Sequence, residues 1–317
     1  MSEPRCVTVP YTGRILISHL AAYGLAVALD DQGLEPFVGH DDSGEFTPFV
    51  EAICDETRLA EAISASAAAC EAAVETDIEP GRSGNDRIPA IRARATAETS
   101  ARAALAARED LLDGLERQQE SLALGLVAGL GAPAVWLRTQ TKCTPQRGAT
   151  ALDGVPLNVG SDIVRGSLRR SLPTARDLTA GDMASLSARE AELDEDSEDR
   201  TRWSPPGTRV AVVWQWLASL GLTLLPVGLR AGSAARTPGV IPGSDGRIAL
   251  PVLETPASLP RLRAVLLLRD LTDRKDRAAA ARLHAQGVVD VLEFPRIDAS
   301  SGTMVSYSFG LARPREV

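Results

Sequence analysis

The stretch VAVVWQWLASLGLTLLPVGL, Val210–Leu229, decides how the rest of the chain is read. It carries no charge, is bracketed by Arg209 and Arg230, and has about the length a helix needs to cross a bilayer. It also holds Gln215, Ser219 and Thr223, with Gly221 and Pro226 toward its end. A helix to about Leu220, a turn at Gly221 and a buried strand LTLLPV explain the same residues without a membrane. The second apolar stretch, Leu122–Leu137, is shorter and broken by Gly129, Gly131 and Pro133. Both are read as core, and the chain as soluble with no membrane partner.

Composition agrees with a packed core. A chain of 317 residues holds one large core or two modest ones, at about 150 residues per domain. Its 44% apolar and 24% charged residues are those of an ordinary globular protein. Aromatic side chains are only 4% while alanine is abundant, which favours helices packed through Leu, Val and Ala. Cys6, Cys54, Cys70 and Cys143 are far apart, and no pair has the C-x-x-C spacing of a zinc or redox site. The chain opens without a signal-peptide pattern, so a reducing cytoplasm is expected, with the cysteines as small buried hydrophobes.

The formal charge of −8 is unevenly spread. Residues 1–201 hold 19 basic and 33 acidic side chains, net −14, whereas 202–317 hold 15 and 9, net +6. Such polarity suits one face toward a basic neighbour and another toward an anion; it equally suits an acidic, solvated surface.

The pattern predicts an α+β protein. Residues 1–187 form a helix-rich part, 188–208 an acidic and proline-rich linker, and 209–317 a C-terminal α+β part. The N-terminus reads as a short strand, Arg5–Pro10, then a buried helix, Ile15–Leu29. Glu35–His40 and Glu45–Val50 read as a hairpin about the turn-former Asp41-Asp42-Ser43-Gly44. Helical spacing runs from Asp55 to about Thr76, and again from about Ala90 to Leu130. After the linker, Leu259–Leu271 and Asp273–Ala285 read as helices, and Val288–Ile297 with Thr303–Leu311 as a terminal antiparallel hairpin.

Residues 136–177 are basic. They carry Arg138, Lys142, Arg147, Arg165, Arg169, Arg170 and Arg176 against Asp153, Asp162 and Asp177, several in expected loops rich in Gly and Thr. Loops of that kind let backbone donors and cationic side chains reach phosphates together. Catalytic motifs are missing: there is no Walker loop, no H-E-x-x-H and no G-x-S-x-G. His19, His40 and His284 fall in separate elements, and His19 reads as a core histidine with one bonded nitrogen. The run His40-Asp41-Asp42 lies between expected strands without the further ligands a metal site needs. The glycines at 125, 129 and 131 follow a helix and read as its C-cap. No metal, no cofactor and no small-molecule substrate is expected.

Two segments carry a resemblance. VTVPYTGRILISHLAAYGLAVAL, at the start, is similar to the opening of a subunit of type I-U (I-G) CRISPR-associated effector operons, a strand meeting an apolar helix with a central Gly-Leu. The stronger likeness begins at VVWQWLASLGLTLLPVGLRAGSAARTPGV. There an apolar helix with Leu-Gly-Leu precedes an Arg-Thr-x-Gly turn at Arg236, Thr237 and Gly239, then a proline-flanked strand. Together they resemble the third Csb-family protein over about a third of the chain. Tyr11-Thr12-Gly13 stands where that family has Asn-Pro-Gly, and the acidic run at 188–202 departs from its pattern.

The resemblance implies a non-catalytic subunit of a crRNA-guided, Cascade-like complex. Its partners would be other effector subunits and the backbone of crRNA or target DNA. Arg138, Lys142, Arg147, Arg165, Arg169, Arg170 and Arg236 would then contact phosphates, and the helical block neighbouring subunits. Two competing readings are a protein-only adaptor, supported by the net acidity, and an enzyme whose site assembles from distant residues.

Overall fold

A computed structural model describes residues 5–9, 13–42, 44–77, 110–130, 163–187, 209–227, 237–241, 247–273, 276–298 and 307–316. The fold is α+β, as the residue pattern predicts. In chain order it runs β1 Arg5–Thr8, α1 Leu16–Asp31, β2 Phe37–His40, β3 Pro48–Ala52 and α2 Glu56–Asp77. Helices α3 (110–118), α4 Ser121–Leu130, α5 Ile163–Arg176, α6 Ala180–Ser187 and α7 Arg209–Leu220 follow. The C-terminal part comprises β4 Ile248–Leu253, β5 Ala257–Ser258, α8 Leu259–Leu266, α9 Arg277–Ala285, β6 Val288–Phe294, β7 Arg296–Asp298, β8 Tyr307–Phe309 and β9 Arg313–Glu316.

The strands form three antiparallel sheets, ordered β1-β3-β2-β5, β4-β6-β9 and β7-β8. The β2–β3 hairpin forms where expected, and Asp41 closes its turn by accepting from the Thr47 amide at 2.9 Å. In β3, burial alternates because successive side chains point to opposite faces: Pro48, Val50 and Ala52 are buried, Phe49 and Glu51 less so. At the C-terminus β7 and β8 make the expected hairpin, nested inside the longer-range pairing of β6 with β9.

Helix α1 is apolar on every side, and nearly all of Leu16–Leu29 is buried. Such a helix belongs at the centre of a core rather than on its surface. It packs against α7, so the segments on either side of the acidic run share one hydrophobic cluster. Helix α7 ends at Leu220, but the strand expected after it is a 3-10 turn, Gly221–Leu224. The reason lies in packing. A Cβ on Gly24 of α1 would overlap the Leu217 carbonyl, and one on Gly221 would overlap the Leu20 carbonyl. On the other side, a Cβ on Gly129 of α4 would overlap the Leu222 carbonyl. The backbone at Leu220–Leu222 is thus clasped between two helices, leaving no edge for strand pairing. Gly125 and Gly129 therefore lie within α4 as a close-approach face, not at a C-cap as their order in sequence suggests.

The helical stretch expected to run unbroken to Leu130 is interrupted at Gln119, whose φ is 59°, separating α3 from α4. Among the described residues, no helix is long and apolar enough to cross a membrane. Cys54 and Cys70 are free and buried, and burial pushes the Cys70 thiol well above its usual range.

One polar bond ties α2 to α7. The Trp216 indole N–H donates to Ser66 Oγ at 3.0 Å, and both side chains are fully buried. Ser66→Ala should cost about 2 kcal/mol, because the indole donor would remain buried and unpaired. Chemical denaturation checks this; a loss no larger than that of a surface Ser→Ala control would contradict it.

Candidate functional site

The basic side chains expected in loops are, where described, on a helix. Arg165, Arg169 and Arg170 lie in α5, which corrects the loop reading of this segment. The helix forms because Leu168, Leu172 and Ala175 make a buried stripe at helical spacing, joined by buried Ser171, whose hydroxyl donates to the Leu168 carbonyl at 3.3 Å. This stripe packs against α7 and α2. Gly166, Pro173 and Thr174 read as loop punctuation, but burial of the stripe outweighs them. Pro173 has no N–H to offer the Arg169 carbonyl one turn earlier.

Helical spacing puts Arg165 one turn before Arg169 on the same face, with Arg170 beside them. Arg170 is exposed and Arg169 half-buried. The first turn has no acidic residue to offset the positive end of the helix dipole. Arg176, at the other end, is committed within the protein. It donates to Glu71 Oε1 of α2 at 2.7 Å and to Asp177 Oδ1 at 3.2 Å. The hydrogen bond to Asp177, with the nearby carboxylates, raises the pKa of its guanidinium. Arg138, Lys142, Arg147 and Arg236 lie outside the described residues.

A second cluster was invisible in the sequence. His19 of α1 and His40 at the end of β2 stand with ring centroids 5.4 Å apart. The edge of His19 meets Phe294 of β6 at 5.6 Å. His19 Nε2 is 2.6 Å from the Gly13 carbonyl, as a singly bonded core histidine should be. Hydrophobic periodicity gives no sign of which strand lies against which turn of a helix, so spacing alone does not pair these rings.

A third cluster holds the last sheet together. Glu293 of β6 is 3% exposed and is approached by Arg247 at 3.7 Å and by Arg315 of β9 at 3.3 Å. Arg315 also donates to the Leu271 carbonyl at 3.0 Å. Among the described residues, no group of three or more His, Cys, Asp or Glu side chains is placed to hold a metal ion. A small cavity of about 230 Å³ opens beside Arg14, Glu45, Phe46 and Leu292. No protein-family model matches the chain, and no curated protein matches it.

Proposed function

We propose that this chain is a cytoplasmic, non-catalytic subunit of a crRNA-guided, Cascade-like antiviral surveillance complex. It contributes contacts to neighbouring effector subunits and to the phosphate backbone of crRNA or target DNA. The observation that carries this reading is α5: a helix pinned by its apolar stripe to α2 and α7, with Arg165, Arg169 and Arg170 close together on it. A pinned helix presents cations at fixed spacing, which favours backbone contact, while base pairing with the guide supplies sequence specificity. The two family-like segments support it from the sequence side.

Replacing Arg165, Arg169 and Arg170 with Ala should weaken nucleic-acid retention by the assembled complex without unfolding the subunit. Each lost phosphate contact should also lower the slope of log affinity against log salt by about 0.7–0.9. Filter binding at rising salt measures both. Unchanged retention with the complex intact would overturn the assignment of this face.

A protein-only adaptor is the second reading. Ile53 and Leu267, 57% and 60% exposed, are apolar surface of the kind that meets another protein. It would replace the first reading if the chain, mixed with the products of its neighbouring genes, retained no single-stranded RNA or DNA even at low salt. CRISPR repeats and effector genes beside its own would favour the first.

A further inference from the structure

The imidazoles of buried His19 and half-buried His40 are not used by the nucleic-acid reading, and their hydrogen bonds constrain how each ring carries its proton. A carbonyl only accepts, so His19 Nε2 carries the hydrogen that meets Gly13 O at 2.6 Å, and in the neutral ring that burial favours His19 Nδ1 is a lone pair. The Leu253 amide only donates, so His40 Nδ1 is the acceptor of its 3.5 Å contact, and His40 Nε2 carries the hydrogen. Both His19 Nδ1 and His40 Nε2 are buried with no hydrogen-bond partner. The neutral pair therefore leaves one acceptor and one donor buried and unbonded.

Their position gives this arrangement a consequence. His40 ends β2 in the four-stranded sheet, whereas Leu253 ends β4 in the three-stranded sheet, so their bond crosses from one sheet to the other. His19 comes from α1 and rests on Phe294 of β6, the strand that pairs with β4. Four elements thus meet at the two rings. We propose that His19 and His40 form an acid-sensitive joint, which fastens the two sheets while both rings are neutral and loosens them when either ring takes up a proton. A protonated His40 has no lone pair with which to accept from Leu253, and a second charge 5.4 Å away would repel the first.

The charged groups around the joint leave this in place. Strand β4 has no ionisable side chain, and Glu254, which follows it, is tied through its amide to the Gly287 carbonyl at 2.9 Å. On β6, Glu293 alternates to the face opposite Phe294 and is held by Arg247 and Arg315. Asp41, next to His40, is engaged by the Thr47 amide, and Arg14 and Glu45 line the neighbouring cavity. On β3, Glu51 is paired across from Phe37, three residues before His40. On α8, Arg261 reaches the Gln286 carbonyl, with Arg263 one turn from its start. Tyr23, one turn beyond His19, has its phenol pushed well above its usual range by burial and stays neutral.

Burial lowers the His19 pKa to about 4, against the raising effect of the Gly13 bond. The His40 pKa is lowered by burial and by the charge of His19. A histidine whose folded pKa lies below its unfolded value leaves stability untouched above about pH 6.5 and removes it as pH falls toward the folded pKa. For His19 alone, the folded-to-unfolded ratio should drop about 100-fold between pH 7 and pH 4.

The test compares the full chain with His19→Gln/His40→Gln, whose amides keep polar atoms near both bonds and do not titrate. The double variant should lose about 100-fold less of its folded-to-unfolded ratio between pH 7 and pH 4 than the parent does. Equal pH dependence would overturn the proposal. Should the variant not fold, imidazole NMR titration of the parent decides it. The His19 and His40 rings should remain neutral well below pH 6.5. Titration of either ring at or above pH 6.5 would sink the joint, as would Leu253 amide exchange that keeps its protection through the protonation of His40.

Discussion

Gly221→Ala should destabilise the protein by about 3 kcal/mol or more, a large effect for a single methyl group. The added Cβ would overlap the Leu20 carbonyl of α1. The obstructing atoms are helix backbone, so no side-chain rotation relieves the clash. Either α1 and α7 separate, exposing a seam that includes Leu20, Leu217 and Leu220, or the 3-10 turn unwinds from between α1 and α4. Gly24→Ala should behave alike, since its Cβ would overlap the Leu217 carbonyl and approach the Gly221 nitrogen to 2.8 Å. Gly114→Ala is the control. It lies in α3 with open space around the added atom, and should stabilise by about 0.5–1 kcal/mol through helix propensity. Urea denaturation followed by circular dichroism measures all three. Equal midpoints for Gly221→Ala and the parent would show that α1 and α7 do not meet in solution.

Glu293→Ala should be nearly as damaging, at about 3 kcal/mol. The carboxylate is buried between two guanidiniums whose side chains are 30% and 23% exposed. Removing it takes away the buried carboxylate on which both guanidiniums converge, so their mutual repulsion in a poorly solvated place is less compensated. The Coulombic attraction itself is not what makes the loss large, since bringing all three charges out of water offsets much of it. The loss comes from removing the central partner of a buried ionic cluster while its cations stay in place. Replacing Glu293 and Arg315 together with Leu should therefore restore much of what Glu293→Ala removes. A double replacement as unstable as the sum of the two single ones would contradict this account. Since β9 pairs with β6 at the edge of the sheet, exchange of the β9 amides should report the damage first.

Local signals in the chain were legible wherever one segment decides its own state. The β2–β3 hairpin follows from turn-formers between short apolar runs, and α1 from an apolar run too long for a strand. Gly221 was legible as a break after α7 but not as a contact, because its partner Gly24 lies near the other end of the chain. The strand expected after it failed for the same reason. LTLLPV has the composition of a buried strand, and only the pressure of α1 and α4 on its backbone makes it a tight turn. In α5 the error ran the other way: Gly, Pro and Thr weighed against a helix that the Leu168, Leu172 and Ala175 stripe secures through α2 and α7. The candidate cations were legible as a cluster in sequence, whereas their common face was not. The His19–His40 pair lay beyond reach altogether, because nothing in either segment announces that α1 and the end of β2 converge on β4 and β6.

The meeting of Gly24 with Gly221 has an evolutionary consequence. One glycine sits in each of the two segments on which the proposed kinship rests, and each needs the other to stay small. Mutations at the two sites are therefore not independent events. A lineage that enlarges one residue must move a helix before it survives, so the two positions should be inherited as a linked pair. Distant relatives should then be easier to recognise by that pair, one glycine within the first apolar helix and one just after the second, than by overall identity.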